Sequence, residues 1–346
     1  MATKQRPFHL VVFGASGFTG QFVTEEVARE QMDPEGSSRL AWAVAGRCRE
    51  KLQRVLERAA EKLGRPTLPT EVGIIICDIS NPASLDEMAK QATIVLNCVG
   101  PYRFYGEPVV KACVENGTSC IDISGEPHFL ELMYWKYHEK AAEKGVYIIG
   151  SSGFDSIPAD MGVIYTSSKI NGTLTAVESF LTINSGPEVQ YAAYVTVGGF
   201  ASVMKLMFAG LFFLLFVKFG IGRQLLIKFP WLFSFGYFSK QGPTQKQLDG
   251  TSFTMTFFGQ GYSHSTPTEN NKPNIRVCTQ VKGPEAGYIA TPIAMVQAAM
   301  TLLNDASNLP TVGGVFTPGA AFCRTKLIDR LNKRGIEFSV ISSSEV

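Results

Sequence analysis

Short apolar runs alternate with amphipathic stretches over the first 150 residues. The runs at 8–13, 40–45, 72–77, 93–99, 119–123 and 146–149 are nearly continuous in apolar character. Runs of that kind, without polar alternation, mark parallel strands buried on both faces. Between them, residues 17–30, 49–63, 82–90, 107–116 and 127–144 carry helical patterns. Pro82 sits at an early helical position, and Gly117 and Gly145 stand just past two helix ends, where each residue type is favoured. Six strands with five intervening helices predict an α/β fold built on a doubly wound parallel Rossmann sheet.

The pattern changes after Gly150. Residues 177–183, 253–258 and 275–281 alternate apolar with Thr, Ser and other polar positions. Alternation predicts half-buried strands, here a second, partly antiparallel layer. Residues 292–303 and 325–333 read as helices. The expected organisation is a dinucleotide-binding domain over 1–150, an inserted α+β domain over 151–290, and a helical return to the first domain over 291–346.

One segment inside the second domain stands apart. From Val189 to Leu248 there is no Asp or Glu, but there are six Lys and Arg. Residues 206–217 are twelve uncharged positions between Lys205 and Lys218. As a helix they reach about 18 Å, short of a hydrocarbon core of about 30 Å. Gly220-Ile221-Gly222 reads as a hinge, after which an apolar, aromatic arm runs to Phe238. Two apolar arms with only basic charges predict a hairpin over 206–238 lying in one leaflet, its Lys side chains reaching the headgroups. The plainer reading is a buried helix pair or the interface of a homodimer, since runs of 10–14 apolar residues are usually core.

Composition narrows the classes. Charged residues make up 18% of the 346, below the ~25% of an average soluble chain. A net charge of +2 argues against binding nucleic acid through a general basic surface. The seven Cys form no CxxC and the four His no HxxxH, so neither a zinc site nor a disulfide scaffold is expected. The polar start, Met1 to Pro7, predicts no signal peptide, and scattered Cys fit a cytosol-facing compartment.

Gly14-Ala15-Ser16-Gly17-Phe18-Thr19-Gly20 follows the first strand and opens the first helix. Glycines there let the backbone approach a diphosphate, and the helix N-terminus favours an anion. Strand, glycine turn and helix together supply the context that a glycine motif needs. The second strand ends in Ala45-Gly46-Arg47, where NAD-binding chains usually carry an acid. A guanidinium suits a 2′-phosphate, which predicts NADP over NAD. Asp78 is placed either near the adenine or as a helix cap. Asn97, Gly100 and Pro101, after the fourth strand, are expected to run past the ribose and nicotinamide. Ligands of open sheets lie beyond the carboxyl ends of the strands. At that edge Tyr102, Asp122, Glu126 and Asp155 have the chemistry to move a proton. Asp155 is the first candidate catalytic residue and Tyr102 the second. Asp155 and Ser124 also fit plain helix caps. No YxxxK is present around Tyr134-Trp135-Lys136-Tyr137-His138.

The stretches VVFGASGFTG, AGR, NCVGPY, DISGE and GFDSIPAD, with Gly314-Val315-Phe316-Thr317-Pro318-Gly319 near the end, occur in that order. The sequence resembles the saccharopine dehydrogenase-like oxidoreductases over nearly its whole length. The resemblance implies a Rossmann domain, an inserted second domain and a C-terminal return. True saccharopine reductases join glutamate to an aldehyde-derived imine with NADPH, and relatives include trans-acting enoyl reductases acting on lipids. The family therefore spans amino acids and lipids. Similar members have a further stretch where this chain passes from Glu188 directly to Val189. The combined expectation is an NADP-dependent oxidoreductase at a membrane or lipid droplet, on its cytosolic face, with a lipophilic small-molecule substrate. Two alternatives remain: a catalytically silent lipid-surface protein that keeps the fold, or a soluble amino-acid dehydrogenase.

Overall fold

The computed structural model describes residues 6–32, 40–185, 199–234, 243–263 and 272–345. The connection at Glu188–Val189 and the end of the apolar arm at 235–238 lie outside them. Strands β1 (Phe8–Phe13), β2 (Trp42–Gly46), β3 (Gly73–Ile76), β4 (Ala92–Asn97), β5 (Ser119–Asp122) and β6 (Tyr147–Ile149) form at the six apolar runs. β7 (Gly172–Ser185), β8 (Thr251–Ser263) and β9 (Ile275–Pro284) belong to a second, antiparallel sheet. β10 (Gly314–Phe316) returns to the first sheet and β11 (Glu337–Glu345) to the second.

The first sheet has seven strands, in the order β10-β6-β5-β4-β1-β2-β3. Every pair in it is parallel. Leu10, Val11, Val12, Val44, Val95 and Leu96 are fully buried, as continuous apolar runs require. The chain leaves β1 in one direction through β2 and β3, and in the other through β4, β5 and β6. The reversal between β1 and β4 opens a crevice at the strands' carboxyl ends.

The return from the second sheet is not only helical, as the pattern suggested. β10 adds an edge strand against β6, with Val315 opposite Ile148. β11 pairs antiparallel with β9 across a bulge at Val340/Ser342. The helix Thr291–Asn304 is buried along most of its length. It packs on the helix Phe18–Gln31 and on β4 and β5. Among the described residues it lies in the one helix long and apolar enough to cross a membrane, and 72% of that stretch is inside the fold. It is a core helix. Gln297 Nε2 donates to Glu30 Oε2 at 2.8 Å, and Arg334 pairs with the same buried carboxylate.

Contacts divide the chain into two compact units. One holds residues 1–181 and 255–346, hence the first sheet and most of the second, and the other holds residues 182–254, with the end of β7 and the start of β8. The boundaries at 150 and 290 are not those of this division. The helix Ile157–Ser168 packs on β9 and on the helix Pro318–Phe322, which ties the two sheets together.

In the smaller unit, the helix Gly199–Phe216 is followed by Gly220–Lys228 and Pro230–Phe233. The turn falls at 217–219, not at Gly220-Ile221-Gly222. Gly220 begins the next helix, and Gly222 serves as a crossing point. A Cβ on Gly222 would stand 2.2 Å from the Phe216 carbonyl oxygen.

Candidate functional site

The loop after β1 is a tight turn. The N–H of Gly14 donates to the carbonyl of Ala45 at 2.9 Å, and that of Gly17 to the carbonyl of Gly14 at 2.8 Å. Gly14 has φ +81°, the left-handed region that glycine occupies without strain. A Cβ there would meet Val99 Cγ2 at 2.7 Å, so the β1 loop and the β4 loop face each other closely. A Cβ on Gly20 would stand 2.2 Å from the Gly14 oxygen. Gly17 supplies no side-chain cap to the helix Phe18–Gln31, and no acid sits in its first turn. Ser16, Gly17 and Phe18 are exposed and Thr19 half-buried. The helix end is thus a positive, open cradle for a diphosphate.

The crevice divides into two halves. On the β2–β3 side, Gly46 reaches within 3.8 Å of Ser16 Oγ by its would-be Cβ. Arg47 follows and is exposed, with no hydrogen bond or ion pair among the described residues. Asp78 accepts from the N–H and hydroxyl of Ser80, at 2.9 and 2.8 Å. Those bonds, with Arg47 nearby, hold its carboxyl below the ordinary range. Asp78 is not the helix cap, because Asn81 accepts from the N–H groups of Ala83 and Ser84. If Arg47 faces a 2′-phosphate, Arg47→Ala is expected to weaken NADPH about tenfold or more. A charge-assisted hydrogen bond is worth about 1.5–3 kcal/mol. NADH should be nearly unchanged, which paired fluorescence titrations will read.

On the other side lie the ends of β4, β5 and β6. Asn97 is fully buried and in register with Phe13 and Asp122. Its Oδ1 accepts from the N–H of Val99 at 3.1 Å, while its Nδ2 has no partner. Gly100 and Pro101 follow, both exposed. The Tyr102 hydroxyl donates to the Asn97 carbonyl at 2.8 Å, and its ring packs 5.7 Å from that of Phe129. Burial raises this phenol well above its ordinary pKa. Its proton is therefore committed to the loop.

Glu126 has a plain task. Its carboxylate accepts from the N–H groups of Tyr102 and Arg103, at 2.8 and 2.9 Å. It caps the helix Tyr102–Glu115, which is why that helix starts five residues before the expected 107. Asp122 is 2% exposed, and its Oδ1 accepts from the N–H groups of Ser124 and Ser151 at 2.9 and 3.3 Å. Burial pushes its pKa up to about 6, against those two bonds. Ser151 is held at φ +54°, a strained setting for a side chain. Asp155 is exposed, and its Oδ2 lies 3.2 Å from the Cβ position of Gly125. Ser124 has a plain task beside the helix Pro127–Lys144, since its hydroxyl accepts from the N–H of Glu126, just ahead of that helix, at 3.2 Å, while Asp155 makes no such bond to the start of Ile157–Ser168.

The raised pKa of Asp122 has a consequence for stability. Between roughly pH 4 and 6 the folded chain keeps a proton that the unfolded chain has lost, so stability falls as pH rises through that window. Asp122→Asn keeps the shape and has no such proton. The variant's stability relative to wild type should rise by on the order of 2 kcal/mol from pH 4 to pH 7. Urea melts at the two pH values measure it.

Sequence reasoning missed the residues that arrive from the second sheet. Tyr288 packs 5.0 Å from Phe18 and 5.5 Å from Phe22, ring to ring, beside the glycine loop. Glu285 orders the turn by accepting from the N–H groups of Gly287 and Tyr288, at 3.0 and 2.6 Å. Thr291 Oγ1 accepts from the N–H of Phe154 at 3.0 Å. These residues precede or begin a predicted helix and carry no local motif.

The glycine cradle and the open helix end fit a dinucleotide. Comparisons with known proteins agree. Residues 10–149 match the saccharopine dehydrogenase NADP binding domain. The human "Saccharopine dehydrogenase-like oxidoreductase" is 70% identical over 429 residues, with all of both chains covered. That length exceeds the 346 residues here, so the relative carries sequence that this chain lacks. A Caenorhabditis elegans "Lipid droplet localized protein" is 34% identical, covering 98% of this chain and 99% of its own. A "Probable mitochondrial saccharopine dehydrogenase-like oxidoreductase" of Arabidopsis thaliana is 30% identical, with 99% of each covered. Among solved structures, apo saccharopine dehydrogenase (L-Glu forming) from Saccharomyces cerevisiae superposes with a TM-score of 0.55 at 11% identity. It covers 97% of this chain and 100% of its own, a likeness of fold. This chain belongs to the saccharopine dehydrogenase-like oxidoreductases and carries the NADP-binding domain of the saccharopine dehydrogenase family.

Proposed function

We propose that this protein is an NADP-dependent oxidoreductase held on the cytosolic face of a lipid surface, a membrane leaflet or a lipid droplet, and that its substrate is lipophilic. The observation that carries this reading is the apolar face of the smaller unit. Phe208, Leu211, Leu214 and Leu215 on its first helix, Ile221 and Ile227 on its second, and Trp231 and Leu232 on its third are 47–77% exposed. Exposed apolar patches of that kind mark interaction surfaces. The flanking charges, Lys218, Arg223 and Lys228, are all basic. Lys228 Nζ sits 5.5 Å from the centre of the Phe229 ring, a stem-along-apolar posture. The second helix, nine residues or about 13 Å long, turns back on the first. That geometry suits insertion from one side. The worm relative's name points to the same kind of surface, and the plant relative's name to an organelle.

In this reading Gly14, Ser16, Gly17, Phe18, Thr19 and Gly20 cradle the diphosphate. Arg47 takes the 2′-phosphate and Asp78 lines the adenine side. Asn97, Gly100 and Pro101 flank the ribose and nicotinamide. Bound there, NADPH supplies a hydride for a C=N, C=O or C=C bond. Of the proton-carrying side chains, Tyr102 and Glu126 are already occupied by backbone partners. Asp155 is the exposed one and is assigned the proton transfer.

The test is NADPH oxidation, followed against a panel of lipid aldehydes, enones and imines, for wild type beside Asp155→Asn. Wild type should reduce at least one member, and the variant should be slower by about 10²-fold. Nucleotide binding without any turnover would favour the silent lipid-surface protein. The occupied Tyr102 and Glu126 are the observations on that side.

A further inference from the structure

Between the helix Pro127–Lys144, β10 and the helix Pro318–Phe322 lies a cavity of about 550 Å³. Leu130, Met133, Val315 and Phe316 form apolar walls, and Asp122 lies among its lining residues. That volume falls in the range of small-molecule pockets, which pair apolar walls with a few placed polar groups. Both side-chain hydrogen bonds of Asp122 end on Oδ1, and Oδ2 has no partner among the described residues. Oδ2 is thus the carboxylate oxygen left for a ligand in the cavity that Asp122 lines. Gly150 makes room beside it, since a Cβ there would stand 2.4 Å from Leu130 and 3.5 Å from Asp122 Oδ1.

The charge of the lining selects the ligand's head. Glu131 and Asp160 also line the cavity, and no Lys or Arg does. Asp160 Oδ2 already accepts from the N–H of Gly319 at 2.8 Å, and Glu131 is exposed. His138 is the single basic residue of the lining, with Nδ1 at 3.2 Å from both the N and the O of Val315. A carboxylate-bearing ligand is disfavoured in such a field, and an alcohol leaves the field unneutralised. We propose that this cavity binds a small apolar molecule carrying one protonated amine, with the amine on Asp122 Oδ2 and the apolar body against Leu130, Met133, Val315 and Phe316. The site needs no bound nucleotide, and its apolar walls come from the helix Pro127–Lys144 and β10.

The probe is 4-phenylbutylamine, with 4-phenylbutanol and 4-phenylbutyrate as isosteric controls, titrated into the full chain by ligand-observed NMR. The amine should bind at least tenfold tighter than either control. Asp122→Asn should cost tenfold or more, and Leu130→Trp, which fills the wall, should remove binding while the NADPH titration stays as in wild type. Equal binding of the three probes would overturn the assignment, as would amine binding that survives in Leu130→Trp. The Leu130→Trp variant and the probe series decide the matter even if Asp122→Asn folds poorly.

Discussion

Replacing Leu211 and Leu214 together by Asp is expected to move the protein from the membrane fraction to the soluble one. The two side chains are 52% and 61% exposed, so the substitutions remove little packing within their unit. At a membrane helix centre each Asp costs about 2.5–3.5 kcal/mol. Half of that per residue is still about tenfold in partition for each. The membrane-bound share should therefore fall by more than tenfold, while the melting temperature hardly changes. Flotation of the variant beside wild type on vesicles and on isolated droplets reads the effect. A double variant that floats like wild type contradicts lipid attachment. A wild type that is already a detergent-free dimer, turned to monomer by the variant, would show that a second copy covers this face instead.

Gly20→Val should remove NADPH binding almost completely, by at least 100-fold. The new Cβ would stand 2.2 Å from the Gly14 oxygen and 2.8 Å from the Ala15 Cα. Both are backbone atoms, so the helix Phe18–Gln31 must move away from the loop it opens on. Thr24, whose hydroxyl donates to the Gly20 carbonyl at 2.8 Å, moves with it. The cradle loses both its shape and its aim. Gly17→Val is the milder companion, because its Cβ would lie 3.0 Å from the Gly14 oxygen on an exposed turn. Its side chain would point where a diphosphate lies, and a loss of about tenfold is expected. Calorimetric titration separates the two. Wild-type affinity in Gly20→Val would contradict the placement of the cofactor.

The strands of the first sheet were legible because a strand buried on both faces needs only a short apolar run. β10 was not, because three residues hold no period. β11 was not, because its serines pair with a distant strand across a bulge, which only tertiary contact specifies. The start of the helix Tyr102–Glu115 depends on Glu126, more than ten residues beyond that helix's end, and no local cap announces it. The hinge glycines misled for a related reason. Gly222 is there for close approach to Phe216, and the turn itself falls on Val217, Lys218 and Phe219.

The site was half legible. The glycine loop and Arg47 declared themselves through their position after strands, which the sheet then reproduced. The roles of Tyr102, Glu126 and Asp122 depend on hydrogen bonds that link loops from three strands, and spacing carries no such information. Tyr288 was invisible because it comes to the glycine loop from the turn after β9, far along the chain from Phe18. It stands against Phe18 at the mouth of the crevice.

The most direct test of the account is the affinity of the wild-type chain, purified in detergent, for the two reduced nucleotides. Arg47 stands exposed at the end of β2, the position where an acid would favour NAD. One charge-assisted contact to a 2′-phosphate is worth about 1.5–3 kcal/mol, or roughly tenfold and upward. Isothermal titration should therefore give a dissociation constant for NADPH at least tenfold below that for NADH. Superimposable isotherms for the two nucleotides would contradict it.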